Sequence, residues 1–144
     1  MTPELHLAVA CLALVFLTFA VGVRLLYVRT MEMREKRVHP QAASTSIQMA
    51  AKLQNVQAAE NFRNLFETPV LFYSLAAVAI ASGYTPAWLA IGAWLYVGLR
   101  AAHSFIQCTY NRVMHRFAAF GIGFMLVVCL WVAFVLGLAS KSAA

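Results

Sequence analysis

Glu60-Asn61-Phe62-Arg63-Asn64-Leu65-Phe66-Glu67-Thr68-Pro69 carries two carboxylates, an arginine and two amides into an apolar run that continues to Ala81. At a period of about 3.6 residues, Glu60, Arg63, Asn64 and Glu67 fall at i, i+3, i+4 and i+7 and project from one side of a helix. That side cannot face lipid. A charged side chain inside a bilayer costs about 2.5 kcal/mol or more, so such groups turn into a bundle, find partners and mark a functional site.

Working outward, the chain of 144 residues is 62% hydrophobic and only 11% charged, too apolar for a soluble domain of this length. Four stretches can cross about 30 Å of hydrocarbon, which takes roughly 20 residues. They lie at about Leu5 to Val28, Phe62 to Ser82, Pro86 to Gln107 and Phe117 to Ala139. All four are continuously apolar and not alternating, which excludes a barrel and predicts an all-α, integral membrane four-helix bundle. Residues 1–144 form a single domain, with no repeat and no low-complexity tract. The first run reads as a retained span, not a signal peptide: Glu4 precedes it, it is too long, and its positive cluster follows it.

Charge sets the expected topology of this multi-pass protein. Arg29, Arg34, Lys36, Arg37 and Lys52 lie between the first two spans and Arg112 between the last two, with Arg116 opening the fourth. Gly83-Tyr84-Thr85-Pro86 has no cation, so the positive-inside rule makes the two basic connections cytoplasmic and both termini external. A bacterial inner membrane is the expected location. The net charge of +6 follows from this bias and from contact with anionic headgroups, and gives no argument for nucleic acid. Cys11, Cys108 and Cys129 have no C-x-x-C spacing and read as small packing residues. No H-x-x-x-H or Cys/His pairing supports a metal site, and Ser104 beside His103 gives no nucleophile–base geometry.

Along the chain, Thr2-Pro3 caps the first span, whose helix runs on through Glu32, Glu35 and Lys36 until His39-Pro40 stops it. Arg24 and Arg29 at its end ordinarily snorkel to headgroups, or one turns inward to an anionic ligand. Ser44, Thr45 and Ser46 offer an N-cap, after which Ile47 to Ala59 reads as unbroken helix leading into the second span. Pro69 should bend or open that helix and free carbonyls beside the polar cluster. In the third span Tyr96, Arg100, His103, Gln107 and Tyr110 trace one helical stripe. Arg100 lies roughly 15 Å deep by helical rise. It needs an anion, for which Glu67 is at a compatible depth.

Glu60, Arg63, Asn64 and Glu67 thus face Arg100, His103, Gln107 and Tyr110, with Arg112 and Arg116 at the rim. Four arginines against two carboxylates suit a small ligand with carboxylates and one ammonium group: the arginines fork onto the former and a glutamate holds the latter. The plainer alternative is that these residues pair among themselves as helix glue, although glue needs far fewer charges.

The segments E-N-F-R-N-L-F-E-T-P and R-A-A-H-S-F-I-Q-C-T-Y-N-R-V-M-H-R, with the four spans and the long basic first connection, resemble the MAPEG family, membrane-associated proteins in eicosanoid and glutathione metabolism. The likeness, to a bacterial-type member, covers essentially the whole chain. It implies a homotrimer that binds glutathione between subunits near the cytoplasmic face, with Arg63, Asn64, Glu67, Arg100 and His103 as glutathione-binding residues. Gln107 and Tyr110 continue that stripe, and Arg24 or Arg29 fills the place of a first-helix arginine. The resemblance also implies that Arg116 stabilises the glutathione thiolate for attack on a hydrophobic small-molecule electrophile or hydroperoxide arriving through the lipid bilayer. Gln107 and Phe117 stand where several relatives carry a tyrosine and a serine. That departure points away from prostaglandin- or leukotriene-type synthesis and toward a general glutathione transferase or peroxidase. The rivals are a non-catalytic membrane scaffold and a small transporter lined by Arg100 and His103, which the apolar outer halves of the spans disfavour.

Overall fold

The computed structural model describes residues 1–143, so Ala144, the last residue of the expected domain, lies outside the described residues. These residues form α1 (Pro3–Glu35), a 3-10 turn (Pro40–Ala43), α2 (Ser46–Lys52), α3 (Gln57–Glu67), α4 (Pro69–Ala81), α5 (Ala87–Cys108) and α6 (Val113–Ala143). Four helical stretches, with α3 and α4 counted together, are long and apolar enough to cross a membrane. The sequence placed each of them.

Local chemistry explains the boundaries. Thr2 Oγ1 accepts from Leu5 N at 3.4 Å and Pro3 opens the helix. Thr45 is the cap among the three residues that offered one: its hydroxyl accepts from Gln48 N while the Gln48 side chain accepts from Thr45 N, a reciprocal capping box. Gly83, at φ +62°, turns the chain between α4 and α5 at no steric cost.

Two features of the second span need separate reasons. Pro69 interrupts it as expected: α3 ends at Glu67 and α4 starts at Pro69. Proline has no N–H to give the Leu65 carbonyl, and its ring crowds the preceding turn. The unbroken helix expected over Ile47 to Ala59 is corrected. Leu53 leaves helical geometry at φ −107°, ψ 135°, and helix resumes only at Gln57. The cause lies far away in sequence. The Glu32 carboxylate, 5% exposed, accepts from Gln54 N at 2.6 Å and Asn55 N at 3.1 Å, and Lys36 Nζ sits 2.7 Å from it. Two charge-assisted bonds to backbone N–H outweigh the modest propensity of four residues to stay helical.

Glu32 stands past the hydrocarbon stretch that ends near Val28, so its ionisation is an aqueous matter. The Lys36 ammonium above all, against the cost of burial and aided by the Gln54 and Asn55 amides, holds its carboxyl down from the ordinary 4.5 to about 2. The folded value is the lower one, so the clasp contributes its full stability above about pH 4.5 and loses it as pH falls through about 2. Hydrogen exchange at Gln54 and Asn55, corrected for its intrinsic pH dependence, should show protection at pH 5 that vanishes toward pH 2. Glu32→Gln should lack that protection at neutral pH.

The core forms where α5 packs against α1, α3 and α6, and α4 against α1 and α6. Leu7, Leu14, Phe72, Leu75, Leu89, Tyr96, Val127 and Phe134 are buried there, while Phe16, Phe19, Ile91, Leu95 and Val132 stay exposed on the outside, as a lipid-facing surface requires. At Gly92 an added Cβ would sit 2.4 Å from Leu130 Cδ2, so α5 and α6 approach closely there. Phe72, wholly buried and stacked on Tyr96 at 5.1 Å, anchors this layer. Phe72→Ala should destabilise by about 3–5 kcal/mol, seen as a lower melting temperature in mild detergent.

Candidate functional site

On the half of the bundle that carries the basic connections, α3, α5 and the start of α6 enclose an open-sided cavity of about 420 Å³. Small-molecule sites run roughly 300–1,000 Å³, so the space suits a peptide-sized ligand. Glu60, Arg63, Asn64 and Glu67 line it from α3, His103 and Gln107 from α5, and Arg116, Phe117 and Phe120 from α6. The four α3 residues share the cavity because their spacing puts them on one helical face. The opposite face carries Asn61, wholly buried, and Leu65. Asn61 Oδ1 accepts from Ser104 Oγ at 3.2 Å and its Nδ2 donates to Cys108 Sγ at 3.4 Å, which ties α3 to α5 and fixes how far the lining face turns outward.

Arg116 is held at the rim. Its Nη1 donates to Asn111 Oδ1 at 3.0 Å and stands 3.9 Å from Glu60 Oε2. Its backbone carbonyl lies 3.1 Å from His103 Nδ1, and because a carbonyl only accepts, Nδ1 carries the proton. That bond pins the first turn of α6 to α5, and leaves His103 Nε2 buried without a partner among the described residues, as is Gln107 Oε1. Buried polar atoms without partners are uncommon in folded proteins, and two of them lie here in residues of one cavity wall.

Among the residues expected at the site, the structure brings together Arg63, Asn64, Glu67, His103, Gln107 and Arg116. Three others stand elsewhere. Arg100 is 1% exposed and lies behind the cavity wall; its Nη2 donates to the Asn64 carbonyl at 3.1 Å and its guanidinium covers the Phe120 ring at 5.7 Å. The expected pairing with Glu67 is not made, since the ion pairs within 4.0 Å among the described residues are Lys36 with Glu32 and Arg116 with Glu60. The opened helix end gives Arg100 a carbonyl instead. Tyr110 falls beyond the end of α5, where the chain turns through Asn111 at φ 45°, and its hydroxyl meets His115 Nδ1 at 3.3 Å. Arg24 donates to the Cys108 carbonyl and lines a smaller cavity of about 130 Å³, which meets the main one only at Gln107. Arg29 lines a chamber beside the main one.

Glu60, part of the sequence stripe, belongs to the cavity as the partner of Arg116. Asn111 had no signal in any spacing, because only the turn after α5 delivers it to Arg116.

A family model described as the MAPEG family matches residues 7–136. No curated protein and no solved structure matches the chain. Members of that family generally work in glutathione or eicosanoid metabolism, and a wall of arginines, carboxylates and amides within a four-span membrane bundle accords with such chemistry. The match spans nearly the whole length, from the first helix to the last, and the chain belongs to the MAPEG family.

Proposed function

We propose that the protein is a glutathione-dependent membrane transferase or peroxidase acting on hydrophobic electrophiles. The observation that carries this reading is the donor set of the cavity of about 420 Å³: two arginines, two glutamates, two amides and a histidine around one space. Glutathione offers two carboxylates, an ammonium group, peptide amides and a thiol. Arg63 can fork onto a carboxylate, Glu67 can hold the ammonium, and Asn64 and Gln107 can meet peptide groups.

Arg116 is the residue proposed to act on sulfur. A free thiol has a pKa of about 8.5, and a neighbouring guanidinium lowers it, so the attacking thiolate is present at neutral pH. Phe117 and Phe120 beside Arg116 give an apolar flank for the electrophile. Sulfur bonds to the electrophilic carbon as the leaving group departs. With a hydroperoxide, sulfur takes the terminal oxygen and a second thiol completes reduction to alcohol, disulfide and water. The open side of the cavity, with Phe117 at 69% exposed on its lining, suits closure by a neighbouring copy in the trimer common among family members. The basic connections face the cytoplasm in this reading.

A second reading has one observation behind it: Arg116 is already engaged by Glu60 and Asn111, as in a scaffold that uses charge to lock helices. The two readings part in one experiment. Detergent-purified protein mixed with glutathione and an aryl halide should consume thiol well above the detergent blank. A rate equal to the blank, with no heat of glutathione binding, would leave the scaffold.

A further inference from the structure

Glu60 and Arg63 line not only the main cavity but also a second chamber of about 320 Å³, between the cytoplasmic-side end of α1 and the connection that precedes α3. Arg29 stands in its wall, and Leu53, Asn55 and Val56 close it from the side of the connection. These last residues are the non-helical strap that Glu32 holds through the Gln54 and Asn55 N–H groups. Leu53, at 4% exposed, seats the strap, and Lys36 adds a bond to the Lys52 carbonyl at 3.2 Å. Neither Arg29 nor Arg63 forms an ion pair among the described residues, and the chamber's lining sets these two arginines against the single carboxylate of Glu60, so it carries a net positive charge next to the cavity.

We propose that this chamber is the water-side port through which an anionic thiol reaches the cavity, and that the Glu32-held strap sets how fast the port opens. The inference rests on the thiol-binding reading above. Its physical ground is that the two reactants differ in solubility. An apolar electrophile can arrive through lipid, but a ligand with three ionised groups cannot cross hydrocarbon and needs an aqueous path. The chamber lies at the charged end of the bundle, is cationic, and shares two residues with the cavity. Its wall on the connection side is a short segment held by side-chain bonds, the low-stability kind of element from which gates are drawn.

The test mixes the full-length detergent-purified protein with glutathione in a stopped-flow instrument, reads thiolate absorbance, and follows hydrogen exchange at Gln54 and Asn55 in parallel. Glu32→Gln should lose protection at both amides and raise association and dissociation rates together, by about tenfold, within the one to three decades over which such rates vary among variants. Because both rates rise, Kd should hardly change, unlike the effect of removing a ligand contact. Lys36→Met, which keeps the carboxylate and loses only the ammonium, should move the rates the same way by less, and answers the question if Glu32→Gln does not fold. A variant whose strap exchanges freely while both rates match the unmodified protein would overturn the port. Absence of any glutathione binding by the unmodified protein would overturn the functional reading and the port with it, a result distinct from the first.

Discussion

Arg116→Ala is expected to lower the rate of glutathione conjugation at pH 7 by about 10²–10³-fold, the usual cost of removing one preorganised group that stabilises developing negative charge. A thiol left at its free pKa of about 8.5 is only a few per cent ionised at that pH. The variant's rate should therefore keep climbing through pH 8 to 9, whereas the unmodified protein levels off earlier. The bond that fixes the first turn of α6 runs from His103 to the Arg116 carbonyl, so truncating the side chain leaves it intact and the loss can be read as chemistry. Arg116→Lys should keep part of the rate, since it supplies a point charge without the planar fork that reaches Asn111 and Glu60 together. Initial rates with an aryl halide across pH 6 to 9 check this. A pH profile of Arg116→Ala superimposable on that of the unmodified protein would remove Arg116 from the mechanism.

The second large effect concerns affinity. Arg63→Ala and Glu67→Ala should each weaken glutathione binding by about 1.5–3 kcal/mol, the worth of a charge-assisted hydrogen bond. That is roughly 10- to 150-fold in Kd. Calorimetry in detergent measures it directly. Glu67→Gln separates charge from shape: it should bind nearly as poorly as Glu67→Ala if the carboxylate holds an ammonium. Arg24→Gln is the control, because Arg24 is engaged by the Cys108 carbonyl on another cavity and its loss should leave Kd unchanged. Were Arg24→Gln to weaken binding as much as Arg63→Ala, the assignment of the cavity of about 420 Å³ would be wrong.

How much could be read in advance follows from which forces decide each feature. The four spans depend on length and apolarity, and the joint face of Glu60, Arg63, Asn64 and Glu67 on helical spacing alone. Both were legible because they are local. The meeting of α3 with α5 was legible too, since two polar stripes in lipid have few other places to go. The break before Pro69 was visible for the same reason, being fixed by one residue's missing N–H. The break after Lys52 was not, because Glu32, more than twenty residues upstream, makes it. Tyr110 continued the α5 stripe on paper, but the helix ends at Cys108, and a stripe counts only while the helix lasts. The partners of Arg24 and Arg100 are backbone carbonyls, which every residue possesses and no sequence pattern marks.

The severed second span has one more consequence. Cutting it at Thr68-Pro69 yields two shorter rods, each with its own macrodipole, and the C-terminal pole of the first carries about half a negative elementary charge. Arg100 donates to a carbonyl in that last turn, so the guanidinium is balanced by aligned peptide dipoles in place of a titratable anion. Such a counter-pole cannot be protonated away or exchanged for a ligand's carboxylate. Glu67, on the same turn, is thereby left free of a permanent commitment to Arg100.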